Sequence, residues 1–138
     1  NTPASGETTR ETFLGSSKDV NYGGTEPYRA GEGSFRFPSE QPADSFALSG
    51  EWTIETQFIT PTADKPASIR LDYRAREVRM VLAGSGTIVV LDSEGSEQTI
   101  VVDGTPRSYE LLNGSDLGAG QLTVEISPGV QAYSFTFG

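Results

Sequence analysis

The chain contains no cysteine and no histidine. Without cysteine it can form neither a disulfide nor a thiolate site, and cysteine usage says nothing of compartment. Without histidine it lacks the commonest metal ligand and the side chain that titrates unperturbed near neutral pH. A serine–histidine–acid relay would have no proton acceptor. Basic residues are also scarce: 10 Lys and Arg stand against 19 Asp and Glu, for a net charge of −9. That balance argues against nucleic acid as a partner and against anionic membrane surfaces. No apolar run approaches the roughly 20 residues of a membrane helix, and no basic segment followed by an apolar one marks a signal peptide.

What is present is punctuation. In 138 residues, 16 glycines and eight prolines recur at the spacing of short strands. Trp52, Ile54, Thr56 and Phe58 alternate with Thr53, Glu55 and Gln57. Ile69, Leu71 and Tyr73 alternate with Arg70, Asp72 and Arg74, and Val78, Met80 and Leu82 with Arg79 and Val81. TIVVL (87–91), QTIVV (98–102), RSYELL (107–112), QLTVEI (121–126) and QAYSFTF (131–137) complete the series, with shorter candidates at 12–15, 34–37 and 45–48. AGSG (83–86), DSEG (92–95) and Asp103-Gly104 read as turns, and the prolines from Pro27 onward fall between candidate strands. The pattern predicts an all-β protein, an antiparallel β-sandwich of roughly eight to ten strands. Residues 1–10 read as a linker-like segment and 11–138 as one domain.

Four of the eight arginines crowd into RLDYRAREVR (70–79). A hairpin turning at Arg74–Glu77 would set Tyr73 opposite Val78, Leu71 opposite Met80 and Ile69 opposite Leu82. Asp72 would then meet Arg79 on the other face, an ion pair of about 0.2–1 kcal/mol. A solvated face accounts for Arg74 and Arg79 on those terms, and less so for Arg70 and Arg76.

Catalytic fingerprints are missing: Gly84-Ser85-Gly86 is no nucleophile elbow, and no phosphate-binding glycine motif occurs. Spacing alone brings no two carboxylates to the separation that glycoside hydrolysis requires. Asp92, Glu94 and Glu97 lie in or beside one hairpin loop. Their oxygens suit a hard cation, but the EF-hand pattern is absent and acidic hairpin loops are usually just solvated, so no metal site is assigned to them. Sugar binding needs no titrating group, only flat rings for the C–H face of a pyranose and polar side chains for its hydroxyls. Trp52, Tyr73 and Tyr133 read as internal by alternation. Tyr22 and Tyr28, in the glycine-rich loop 16–33, are the candidate rings, with Arg70, Asp72, Arg74 and Arg79 as candidate polar contacts.

ETFLG (11–15), VNYGG (20–24), SFRFP (34–38), PADSFALSGEW (42–52), IRLDYRAREVRMVLAGSGT (69–87) and QAYSFTFG (131–138) together resemble the C-terminal domain of DipZ-type thiol:disulfide interchange proteins of bacteria. The resemblance implies a jelly-roll β-sandwich similar to a carbohydrate-binding module. It also implies a thioredoxin-like domain of the same polypeptide as partner, and a place on the extracytoplasmic side of a membrane protein. No redox residue carries over, because the chain has no CxxC pair. The expected domain is non-catalytic, takes no cofactor, does not itself insert into the membrane, and has carbohydrate as its ligand class by fold analogy.

Overall fold

The alternation becomes an antiparallel β-fold in the computed structural model, which describes residues 8–18 and 21–138. The linker-like reading of residues 1–10 rests mostly on residues 1–7, which lie outside the described residues. The strands are β1 Thr12–Phe13, β2 Gly31–Phe35, β3 Ser45–Ile54, β4 Ile59–Pro61, β5 Ala67–Leu91, β6 Glu97–Ile126 and β7 Val130–Phe137. A 3-10 turn at Ser16–Lys18 is the one helical element among the described residues. None of these is long and apolar enough to cross a membrane as a helix.

Fewer strands than expected build the sandwich because two of them, of 25 and 30 residues, bend from layer to layer. The start of β5 pairs with Ser45–Ser49 of β3 on one side and with the end of β6 on the other. Residues 123–126 of β6 then pair on their far edge with 88–91, the end of that same β5. Between those two stretches, Val78–Gly84 of β5 pairs with β7 and with the middle of β6. β4, the end of β3 and β2 extend the second layer, and β1 adds to β7.

The hairpin predicted at Arg74–Glu77 does not form. Arg-Ala-Arg-Glu offers no glycine, proline, asparagine or aspartate to reverse the chain, so β5 runs straight through. Its register slips between Ala75 and Glu77, where Arg76 alone lies opposite residues 114–117 of β6, and the irregular step breaks the alternation. Inward positions therefore change parity, from Ile69, Leu71, Tyr73 and Ala75 to Val78, Met80 and Leu82, all buried. AGSG is likewise a bend within β5. Gly84 has φ +97°, and a Cβ there would lie 2.2 Å from the Gly129 carbonyl oxygen, so only glycine fits. Asp103-Gly104 bends within β6, and two prolines lie in strands and not between them. Pro61 ends β4, while Pro106 sits in the unpaired step between Gly104 and Arg107, where its missing N–H breaks no ladder.

The inward faces close on Trp52, Phe46, Phe135, Leu71 and Met80, all fully buried. The Trp52 indole N–H donates to the Ser49 carbonyl at 3.1 Å, which satisfies its polar handle inside the core.

Candidate functional site

The six candidate contact residues fall into three places. Tyr22 and Tyr28 lie together, ring centroids 4.5 Å apart, and both rings reach Phe46 at 5.6 and 5.5 Å. Residues 21–23 pair with Phe46 through Gly23 N–H to Phe46 O and Phe46 N–H to Asn21 O, which fixes the loop on the edge of β3. The Tyr28 hydroxyl donates to the Leu14 carbonyl at 2.6 Å. Burial, with Glu26 nearby, pushes the Tyr22 phenol up to about 12. Both rings are half-buried against the core.

Arg70, Asp72 and Arg74 share the outward face of β5 in the first layer, across from Thr123, Gln121 and Ala119 of β6. Arg70 is committed to a strap. Its Nε donates to Gln41 Oε1 at 2.9 Å, its Nη2 to the Pro38 carbonyl at 2.8 Å, and its guanidinium lies 4.6 Å from the centre of the Phe37 ring. Gln41 in turn donates to the carbonyls of Ser45 and Arg70. Burial and the neighbouring Asp44 carboxylate raise the Asp72 carboxyl above its ordinary range, against the pull of Gln121 and Arg70. The backbone of Arg74 is held by Thr9, whose hydroxyl accepts the Arg74 N–H at 2.7 Å and donates to Asp44.

Arg79 stands apart. It lies beyond the bulge, in the second layer, where it bonds Ser108 Oγ at 2.8 Å and pairs with Glu77 at 3.0 Å and Glu110 at 3.4 Å. Asp72 is not its partner, because the crossing of β5 carries the two residues into different layers.

In the acidic loop after β5, Asp92 Oδ1 accepts the backbone N–H groups of Glu94 and Ser96, both at 2.9 Å. Among the described residues no three carboxylates are grouped to hold a metal ion.

An opening that the alternation did not indicate lies on the other layer. A groove of about 280 Å³ is lined by Phe13, Gly15, Ser17, Thr56, Gln57, Tyr133 and Ser134. Tyr133 owes its position to a bulge: Val81 pairs with Ser134 and Leu82 with Ala132, leaving Tyr133 as the extra residue. Ala132 and Phe135 both turn into the core, and the half-buried Tyr133 ring turns to the groove instead. Phe58 packs against it at 5.3 Å. Strict alternation placed Tyr133 inside; the small residues at Ala132 and Ser134 flanking it were the available signal. A second groove, of about 350 Å³, lies on the outer face of the first layer between Ser68, Leu91, Thr123 and Glu125, with no aromatic ring in its wall.

Fold and surface together define an all-β sandwich with open grooves and neither thiol nor imidazole. The chain belongs to the family of the thioredoxin-like C-terminal domain, whose model matches residues 9–138. It is 38% identical over 130 residues to protein DipZ of Mycobacterium bovis and to protein DipZ of Mycobacterium tuberculosis. The match covers 94% of this chain and 18% of either relative, so the chain spans under a fifth of their length. Among solved structures it is similar in fold to a family two carbohydrate esterase from Cellvibrio japonicus. That likeness has a TM-score of 0.59 at 14% identity, covering 65% of this chain and 29% of that one.

Proposed function

We propose that this chain is a non-catalytic, carbohydrate-binding-module-like domain that tethers or orients a thioredoxin-like neighbour within a membrane-bound thiol:disulfide interchange protein. The observation that carries this reading is the coverage: the match takes in 94% of this chain but 18% of a DipZ relative. A module of that share, with no cysteine of its own, contributes position and not electrons. On this reading the domain lies on the extracytoplasmic side and takes glycan as its ligand class. The fold likeness to a carbohydrate esterase supports a sandwich of that general kind and no more. Titration against wall polysaccharides and defined oligosaccharides tests it, read by NMR shifts. Saturable binding to at least one sugar at millimolar concentration is expected, and silence against all of them removes the sugar-binding role.

A second reading, a protein-interaction domain that packs on the thioredoxin-like neighbour and shapes substrate access, draws on exposed apolar side chains. Val101 is 68% and Leu91 43% exposed, both on the strands that flank the acidic loop. Deleting the domain from the full-length protein and measuring reduction of a protein disulfide separates the two. Unchanged kinetics on a small soluble disulfide substrate fit the sugar tether, whereas altered kinetics there fit the packing role.

A further inference from the structure

We propose that the groove beside Tyr133 is a subsite for one neutral pyranose ring, seated by its C–H face on Tyr133. The inference rests on the module reading above and gives its ligand a place. Four observations converge on it.

First, among the described residues the lining carries no charged side chain: Phe13, Gly15, Ser17, Thr56, Gln57, Tyr133 and Ser134 are aromatic, hydroxylic, amide or glycine. On a chain of net charge −9 such a neutral wall disfavours ionic ligands and suits a polyol with one apolar face. Second, the bulge of β7 falls where its outer partner changes from β4 at Ala132 to β1 at Ser134, and at that junction it aims the large Tyr133 ring outward. The Phe58 ring packs against it at 5.3 Å, tilted by 46°.

Third, the walls are fixed before any ligand arrives. Leu14 N–H donates to Tyr133 O at 2.9 Å, Ser16 N–H to Glu55 O at 2.8 Å and Ser17 N–H to Thr56 O at 3.1 Å. Gly15 makes this closeness tolerable, since a Cβ there would lie 2.3 Å from the Thr56 carbonyl oxygen. A preformed cleft avoids the ordering cost that weakens loop-borne sites. Fourth, the polar groups retain capacity. The Tyr133 hydroxyl reaches Gln131 Oε1 over a long 3.5 Å, a bond that a sugar hydroxyl would better. Ser17 Oγ donates to Thr56 O at 2.7 Å, which leaves its lone pairs to accept, and Gln57 is exposed. A volume of about 280 Å³ sits at the small end for ligand pockets, room for about one sugar ring.

The test is a titration of isotope-labelled chain with cellotetraose, chitotetraose and mannotetraose, followed by amide shifts. Saturable shifts centred on Gly15, Ser17, Gln57 and Tyr133 are expected with at least one of them. Tyr133→Ala should weaken that sugar at least about tenfold, or about 1.4 kcal/mol. Gln57→Ala, at an exposed position that leaves folding intact, should weaken it severalfold. Binding that shifts Arg70, Asp72 and Thr123, or Tyr22 and Tyr28, and survives both substitutions would overturn this site while leaving the module reading standing. No shift with any sugar would overturn both.

Discussion

Arg70→Ala probes how the arginine-rich strand earns its composition. The guanidinium gives up two hydrogen bonds, at 2.9 Å to Gln41 Oε1 and 2.8 Å to Pro38 O. At a half-buried position each contributes about 1 kcal/mol. Loss of the stack on Phe37, 4.6 Å away, adds about 0.5–1 kcal/mol. Together the variant should lose about 2–3 kcal/mol, lowering Tm by roughly 6–12 °C for a domain of this size. Arg70→Lys keeps the charge but not the planar fork, and should recover less than half of the loss. Arg76 lies on the same strand with an exposed side chain, so Arg76→Ala should stay within about 0.5 kcal/mol. Urea melts of the three variants give the stabilities, and limited proteolysis should show cleavage first within residues 36–44. If Arg70→Ala cost no more than Arg76→Ala, or left that segment equally resistant, the strap would be a contact without energetic weight.

Asp72→Asn should stabilise the domain at neutral pH. The folded pKa of Asp72 is raised, so the native state favours the protonated carboxyl. The associated stability is present below the unfolded pKa and lost as pH rises through the folded value. Removing the charge should therefore help at neutral pH, and melts near pH 3 should show the gain gone. Gly84→Ala combines φ +97° with a 2.2 Å approach to Gly129 O and should cost about 3 kcal/mol or more. Gly104→Ala has φ +96° with nothing within 4 Å and should cost about 1–2 kcal/mol. Equal melts for those two variants would refute the crowding argument. Tyr28→Phe deletes the 2.6 Å bond to Leu14 O and should cost about 1 kcal/mol in a urea melt.

Much of the fold was legible because period-two burial is a strong signal. Leu71, Met80 and Leu82 turn inward, and Arg79 keeps a side chain 37% exposed. Connectivity was not legible from the same signal. Between Tyr73 and Val78 the inward parity changes, and either a hairpin or a bulge produces that change. Only the absence of turn formers in Arg-Ala-Arg-Glu favours the bulge. AGSG and Asp103-Gly104 misled in the opposite sense, since glycine with positive φ serves a bend within a strand as readily as a reversal. The arginine stretch divides along this same line. Arg70 and Arg79 hold different loops and strands in different layers, and no basic patch unites them.

The bulges also separate architecture from site. In β5 the slip at Ala75/Glu77 falls where the strand passes from β3 to β7 as a partner, so the sandwich itself requires it, while across Leu82/Gly84 β5 keeps both β6 and β7. The slip at Tyr133 falls where β7 keeps β5 on one side while its partner on the other changes from β4 at Ala132 to β1 at Ser134. A regular alternation back from Phe135 would send residue 133 inward. Inserting one residue instead leaves Tyr133 opposite no residue of β5 and half-exposes a large ring. The change of partner accounts for an irregular step there but not for a large aromatic ring on it, and that choice of residue is where a demand other than folding is to be sought. The three aromatic rings of Phe13, Phe58 and Tyr133, set among neutral polar side chains at that point, give the demand a chemical character.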